Sequence, residues 1–184
     1  MHGQDRPGLP QHWVDIDNKS AVEAVVDHVV ARGFTRLAYV GYRSPQYSDV
    51  ERAAGFRSGL ARNGLGSDGA GVLLVDDACA HEQIESLIAS AGPTAILAGT
   101  DKLAAIVHSI AADAGLRIGR DLAVTGFDGS VLSRLLSPRL TTVTIPVADI
   151  AERVVDRALH HMNHGPDGRP GEIVPATLRL GEST

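Results

Sequence analysis

The residues best suited to ligand chemistry lie directly after the predicted strands. Four strand-like runs end in polar segments: Gly41-Tyr42-Arg43, Asp76-Asp77, Gly99-Thr100-Asp101 and Gly126-Phe127-Asp128. In an open parallel sheet the carboxyl ends of the strands meet at one edge, where ligands bind. Arg52 falls in the first turns of a predicted helix and can lean over this edge. An arginine that faces carboxylates suits a polyhydroxylated or carboxylated ligand, because its forked donors and the charged acceptors match pairs of oxygen atoms.

Each of these residues also has a structural role open to it. Arg52 could be an ordinary surface residue of a first helical turn, and Asp128 could cap the turn before Gly129. Asp101 could be the N-cap of the helix that follows it, since aspartate satisfies free backbone amides at that position. The residues alone therefore leave both interpretations open for Arg52, Thr100, Asp101 and Asp128.

The elements that must hold this edge alternate between strand and helix. Short apolar runs at 37–41, 72–75, 95–98 and 122–126 are separated by segments in which apolar residues have helical spacing. Three of the predicted helices end in glycine followed by an apolar residue, a common left-handed C-terminal cap. Such alternation predicts βαβ units. We therefore expect an α/β fold, a Rossmann-like parallel sheet with helices on both faces.

Local signals define two further regions. Ser48 and Glu51 have the spacing of a capping box, which predicts that a helix begins at Ser48. The pattern further predicts a strand at 141–144, a long helix at 147–162 and one final strand at 173–180. The apolar face of the long helix consists of Ile150, Val154, Val155, Leu159 and Met162.

Composition and charge exclude several classes of protein. The 184 residues are 43% hydrophobic and carry a net charge of −5, which gives no general electrostatic attraction to nucleic acid. The single cysteine, Cys79, excludes an intrachain disulfide and a cysteine-rich metal site. The sequence contains neither a secretory signal nor a membrane-spanning run, so we expect a soluble cytoplasmic chain with no membrane partner.

Other patterns point away from catalysis, cofactors and metals. His160, His161 and His164 could hold a metal, but without an acidic or cysteine partner nearby in sequence a solvated helix end is the better interpretation. The glycine-rich string 64–69 matches the dinucleotide-binding pattern but follows a helix instead of a strand. No motif pairs a nucleophile with a base. The sequence therefore predicts no enzyme, no cofactor and no metal site.

Six segments resemble, in order, the motifs of one known family. They are 13–18, 32–41 (the family's LGHRRIAFIGG), 51–56 (ERLAGY), 93–101 (PTAVFAAND), 115–128 (GLRVPEDVSVVGFDD) and 140–143 (LTTV). Together the segments cover nearly the whole chain. The sequence thus resembles the C-terminal half of a lactose-repressor-type (LacI/GalR family) transcription regulator.

The resemblance implies a periplasmic-binding-protein-like type I fold. In that fold two Rossmann-like subdomains, joined by three crossover strands, close on an effector. Residues 18–140 would form the C-terminal effector-binding and dimerisation subdomain, and 1–17 would be a remnant of the N-terminal subdomain with one crossover strand. Residues 141–184 would supply another crossover strand, a helix of the N-terminal subdomain and a returning final strand.

The same resemblance places the ligand contacts. Arg52 matches the arginine of ERLAG, and Asp128 follows the Gly-Phe pair as in the family. Thr100 stands where the family has an asparagine, directly before Asp101. These four residues are the predicted ligand-binding set.

Three positions depart from the family pattern. Gly129 replaces a second aspartate, Ile145 replaces a glutamine, and Ala78 or Cys79 replaces an aromatic residue. The pocket thus keeps the Arg52–Asp128 pair and loses other contacts that members of the family make to a typical hexose or ribose. The Gly-Phe-Asp-Gly string is also similar to that of ribose-binding proteins, so a sugar-binding protein of that type is the alternative function.

The partners follow from the resemblance as well. A small-molecule effector (a sugar, nucleoside or polyol) is expected, together with a homodimer formed through the helices at 81–90 and 103–114. His108 is the predicted outward position on that dimer face. Operator DNA is expected only for a full-length protein with a helix-turn-helix, which lies outside this sequence.

Overall fold

Strands and helices alternate along the chain, as the apolar pattern predicts. The computed structural model describes residues 13–43, 46–66, 71–90, 92–165 and 171–184. In chain order the described elements are β1 (Val14–Ile16), α1 (Asn18–Ala31), β2 (Leu37–Tyr42), α2 (Tyr47–Arg62), β3 (Gly71–Val75), α3 (Ala80–Ala89), β4 (Ala95–Ala98), α4 (Asp101–Asp113), β5 (Ala123–Asp128), α5 (Leu132–Leu135), β6 (Thr141–Thr144), α6 (Val147–His164), β7 (Glu172–Val174) and β8 (Thr177–Arg179).

The chain divides into two compact units. The larger unit contains Asn18–Thr144 and Thr177–Thr184, and the smaller contains Met1–Asp17 and Ile145–Ala176. Part of the smaller unit lies outside the described residues, as does part of the glycine-rich string 64–69.

The larger unit is built on a six-stranded sheet in the order β3-β2-β4-β5-β6-β8. The first five strands in this order, β3, β2, β4, β5 and β6, run parallel to one another, and β8 is antiparallel to β6. The central strands β2, β4 and β5 are buried almost throughout, because helices cover the sheet. The predicted α/β class with a parallel sheet is thereby confirmed, and the carboxyl ends of the five parallel strands share one edge.

Two glycines let α1 and α2 approach closely. A Cβ atom on Gly55 would collide with the carbonyl oxygen of Lys19, and one on Gly59 would lie 2.8 Å from Cβ of Val26. The close contact places Arg52, in the second turn of α2, beside the first residue of α1. The residues that α1 turns inward are Asn18, Val22, Val25, Val26 and Val29.

Two local predictions are wrong. The second helix begins at Tyr47 after Gln46, and no side chain caps it, so the proposed capping box of Ser48 and Glu51 does not form. The carboxylate of Glu51 instead accepts a hydrogen bond from Asn18 Nδ2 at 3.3 Å. The single strand predicted at 173–180 is two strands, interrupted at Pro175, because proline has no N–H for a ladder and restricts the residue before it.

The smaller unit consists of β1 and β7, paired in parallel, and the long helix α6. The predicted helix is present and extends to His164. None of its residues is buried, and its apolar side chains are largely exposed. The exposed ones include Val147, Val154, Val155, Leu159 and Met162.

In the part of the chain that the structure describes, no helix is long and apolar enough to cross a membrane.

Candidate ligand-binding site

The first turn of α4 is fixed by two adjacent residues with different roles. Thr100 is the N-cap, and its hydroxyl accepts a hydrogen bond from the amide of Leu103 at 3.2 Å. Asp101 is buried, and its two oxygens accept from the amide of Ser130 and the hydroxyl of Thr142, both at 2.6 Å. The interpretation of Asp101 as the N-cap of α4 is therefore wrong. Its carboxylate ties the loop after β5 and strand β6 to α4.

Gly126 makes this arrangement possible. A Cβ atom there would collide with Oδ1 of Asp101 and lie 2.6 Å from Leu140. Only glycine lets β5 pass this close to the buried carboxylate. The loop that begins at Asp128 is consequently held at the carboxyl edge of the sheet.

Arg52 lies over the same edge and is only 8% exposed, so it is not an ordinary surface residue. Its Nε donates to Oδ1 of Asn18 at 2.9 Å, and its Nη1 donates to the carbonyl of Gly99 at 2.8 Å. The guanidinium carbon lies 3.8 Å from the centre of the Phe127 ring, a cation–π geometry. None of the contacts described for Arg52 involves Nη2. The guanidinium is thus held by Asn18 of α1, by the carbonyl of Gly99 just after β4 and by the Phe127 ring of β5.

Asp128 completes the pair. Its Oδ1 lies 3.9 Å from Nη1 of Arg52. Burial raises the pKa of Asp128 to about 6; the Arg52 guanidinium opposes this shift, and the Asp101 and Asp49 carboxylates add to it. The backbone of Asp128 has φ of 106°, which is costly for a residue with a side chain. A half-buried carboxylate on a strained backbone is typical of a functional site.

The pKa of Asp128 predicts a pH-dependent effect on stability. An unfolded aspartate titrates near pH ~4, and in the folded chain the pKa is about 6. The stabilising contribution of the protonated carboxyl is therefore fully present below the unfolded value and is lost as the pH rises through the folded value. Asp128→Asn should raise the melting temperature at pH 7.5 and leave it nearly unchanged at pH 4, as measured by calorimetric melts.

Asp156→Asn is the matched control, because Asp156 is an exposed aspartate in the middle of α6. The difference in melting temperature between Asp156→Asn and the wild type should be the same at pH 7.5 and at pH 4. A melting temperature for Asp128→Asn that falls at pH 7.5 would show that the carboxylate stabilises the fold and is not a costly group.

Further polar residues lie at the same edge in exposed positions. The hydroxyl of Tyr42 donates to Asp77 at 3.1 Å, and Nζ of Lys102 donates to the same carboxylate at 2.7 Å. The bond from Lys102 is the main cause of the lowered pKa of Asp77. Arg43 pairs with Asp76 at 3.5 Å. The two predicted segments after β2 and β3 are thus brought together, and their charges largely neutralise each other.

Several groups at this edge were not identified from the sequence. Asn18 and Phe127 position Arg52, and three buried hydroxyls (Tyr39, Ser130 and Thr144) make no hydrogen bond to any described residue. The only available signal was the position of Asn18 at a helix start. Among the described residues, no group of His, Cys, Asp or Glu side chains has the arrangement of a metal site.

Fold and site together define a class: a parallel α/β domain whose charged and polar side chains gather at the carboxyl edge of the sheet. The chain belongs to the periplasmic binding protein-like domain family, whose sequence pattern matches residues 26–184.

Known relatives agree with this assignment. The HTH-type transcriptional regulator DegA of Bacillus subtilis is 29% identical over 188 aligned positions, which cover 100% of this chain and 55% of that protein. A solved structure of an uncharacterized protein from Actinobacillus succinogenes matches with a TM-score of 0.88 and 28% identity, over 98% of this chain and 68% of that one. A LacI family transcriptional regulator from Enterococcus faecium with bound ribose matches with a TM-score of 0.85 and 21% identity, over 93% and 64% of the two chains, and shows the fold alone.

These relatives confirm the resemblance to the LacI/GalR family that the motifs indicate. The curated relatives are transcriptional regulators, which agrees with the expectation that the chain is not an enzyme. The chain spans about half the length of the curated relatives that it matches.

Proposed function

We propose that this chain is the effector-sensing and dimerisation portion of a LacI-type transcription regulator. The larger unit would be the C-terminal effector-binding subdomain, and the smaller unit would belong to the N-terminal one. A small molecule would bind at the carboxyl edge of the larger sheet, through Arg52 and Asp128. The observation that carries this proposal is the buried guanidinium of Arg52, held with one nitrogen unused beside a carboxylate that has a raised pKa.

The chemistry of this pair suits a polyhydroxylated ligand such as a sugar, a nucleoside or a polyol. Arg52 supplies donors, and Asp128 supplies acceptors 3.9 Å away, a spacing compatible with neighbouring oxygens on one small molecule. Ligand hydroxyls that donate to Asp128 would also favour its charged form, which burial disfavours in the free protein. Binding would therefore offset the unfavourable burial of the charged Asp128 carboxylate.

The other two predicted residues would have different parts. Thr100 would offer its hydroxyl at the N-terminus of α4, where free backbone amides also favour oxygen ligands. Asp101 has both oxygens engaged with Ser130 and Thr142. We therefore assign Asp101 the role of positioning the Asp128 loop instead of touching the ligand.

A thermal-shift screen of pentoses, hexoses, nucleosides and polyols tests this function. A compound that raises the melting temperature of the wild-type chain and not that of Arg52→Ala would support it. Stabilisation of both proteins by the same compounds would place the binding elsewhere. Operator binding would need a longer protein with a DNA-binding segment, since this chain has a net charge of −5.

The larger unit would also carry the dimer face, but not at the position predicted from the sequence. His108 is buried, so it is not an outward residue of α4. It lines a groove of about 520 Å³ beside Leu136 and Pro138. Leu135, the chain neighbour of Leu136 in that groove, is 73% exposed, and Val131 just before α5 is exposed as well. We propose that a second copy covers α5 and the adjoining half of α4.

Leu135→Glu should then convert dimers to monomers in sedimentation velocity at micromolar concentration, because a charge would have to be buried at the interface. Arg57→Glu reverses an exposed charge on α2 and should leave the dimer intact. A wild-type chain that is monomeric at these concentrations would contradict the proposed dimer face.

A further inference from the structure

Tyr39 carries a buried hydroxyl for which the structure provides no partner. The side chain is 1% exposed, and its ring packs 5.8 Å from that of Phe56. Its hydroxyl oxygen is buried and makes no hydrogen bond to any described residue. Burying a hydroxyl without a partner is unfavourable, whereas phenylalanine would fill the same place without that cost. The hydroxyl therefore calls for a functional explanation.

The location of the Tyr39 hydroxyl indicates a function for it. The ring runs along β2 toward the carboxyl edge, where two glycines leave room for it. A Cβ atom on Gly41 would lie 2.7 Å from Cε1 of the ring, and one on Gly99 would lie 2.6 Å from the hydroxyl oxygen. The carbonyl of Gly99 is also the acceptor that anchors Arg52 at 2.8 Å. The hydroxyl of Tyr39 consequently lies beside the group that fixes the candidate ligand-binding arginine.

The surrounding charges agree with this position. Burial raises the pKa of the Tyr39 hydroxyl well above its ordinary value. The charge of Arg52 opposes this shift, and the charges of Asp49 and Asp128 add to it. The phenol is therefore a neutral group that can both donate and accept one hydrogen bond at physiological pH.

Two more unpaired hydroxyls lie at the same edge. Thr144 is the register partner of Asp128 across β5 and β6, and its hydroxyl is buried without a partner. Ser130, two residues beyond Asp128, also has a buried hydroxyl without a partner. Three buried hydroxyls on the strand ends and loops around Arg52 and Asp128 thus lack hydrogen bonds. A bound molecule rich in oxygen atoms would supply them.

We propose that the hydroxyl of Tyr39 is a specificity-determining contact that hydrogen-bonds one oxygen of a polyhydroxylated ligand held by Arg52 and Asp128. The inference rests on the proposed function and extends it. A ligand with an oxygen at that place satisfies the phenol, and an analogue without it leaves the phenol unpaired. Such an analogue forgoes this hydrogen bond, so the wild-type site should prefer the ligand that carries the oxygen.

Isothermal titration calorimetry on the wild-type chain and on Tyr39→Phe tests the proposal. The probe is D-ribose, or the first compound of the panel of sugars, nucleosides and polyols that binds the wild type. Tyr39→Phe should weaken binding by about threefold to tenfold, the range for a neutral hydrogen bond. For one monodeoxy derivative of the probe, wild type and variant should bind equally. The melting temperature of the free variant should not fall.

Thr94→Val is the control, because the Thr94 hydroxyl bonds to Arg36 at the opposite end of the sheet. The control should bind the probe like the wild type. Equal affinity of wild type and Tyr39→Phe for the probe, with binding lost in Arg52→Ala, would overturn the role of Tyr39 and leave the proposed function standing. A wild-type chain that binds no compound of the panel would overturn both.

Discussion

Replacing Arg52 with alanine should weaken ligand binding by about tenfold to a hundredfold, since a hydrogen bond to a charged group contributes ~1.5–3 kcal/mol. The variant loses the guanidinium that donates to Gly99 and packs on Phe127. It also leaves Asp128 without its nearest described positive charge, at 3.9 Å. Calorimetric titration of a ligand found for the wild-type chain measures the loss.

Two matched variants separate geometry from charge. Arg52→Lys keeps the positive charge, but an ammonium group cannot reproduce the planar fork that bonds Asn18 and Gly99 while stacking on a ring, so we expect an intermediate affinity. Arg57→Ala removes an exposed arginine from the same helix and should not change binding. Unchanged affinity in Arg52→Ala would remove this residue from the ligand site.

Limited proteolysis should cut this chain within α6 and leave the larger unit intact. No residue of α6 is buried, and helices in water owe most of their stability to packing of an apolar face. Each large apolar side chain left in water forgoes ~1.5–3 kcal/mol of burial. Five such side chains together approach the ~5–15 kcal/mol by which a whole domain is stable. Mass spectrometry should therefore find early cleavage after residue 144 and a resistant core that begins near Asn18.

The C-terminal residues are expected to remain with the resistant core. Residues 177–184 belong to the larger unit, where Ser183 accepts a hydrogen bond from the amide of Thr141 at 2.9 Å and donates to the carbonyl of Val124 at 2.5 Å. The C-terminal peptide should therefore stay bound to the core after α6 is cut, and gel filtration should recover both together. A chain that resists protease along α6 as strongly as along the larger unit would show that the apolar face is covered.

Much of the fold could be predicted because it follows from periodicity. The apolar runs of β2, β4 and β5 and the inward valines of α1 each carry a local signal. Long-range contacts carry no such signal. Glu51 was predicted to cap α2, yet Asn18, 33 residues earlier, engages it. The division of the last strand at Pro175 depends on two different sheets that take its two halves.

The candidate site was likewise predictable only in part from the sequence. Sequence placed Arg52 and Asp128 at one edge, and the structure brings them within 3.9 Å. The sequence analysis considered Asp101 as the N-cap and did not identify Thr100, because both residue types cap helices and the partners of Asp101 lie 29 and 41 residues away. Tyr39 was predicted only as part of an apolar strand, since a strand pattern does not reveal which way a hydroxyl at the end of a ring points.

We propose that the carboxyl edge of the larger sheet binds a small polyhydroxylated molecule. Nuclear magnetic resonance mapping of backbone amides during titration with D-ribose, or with the first compound that stabilises the chain, tests it most directly. The shifted amides should cluster after β2, β4 and β5 and around Arg52. Shifts confined to the groove beside His108, or no shift with any compound of the panel, would contradict it.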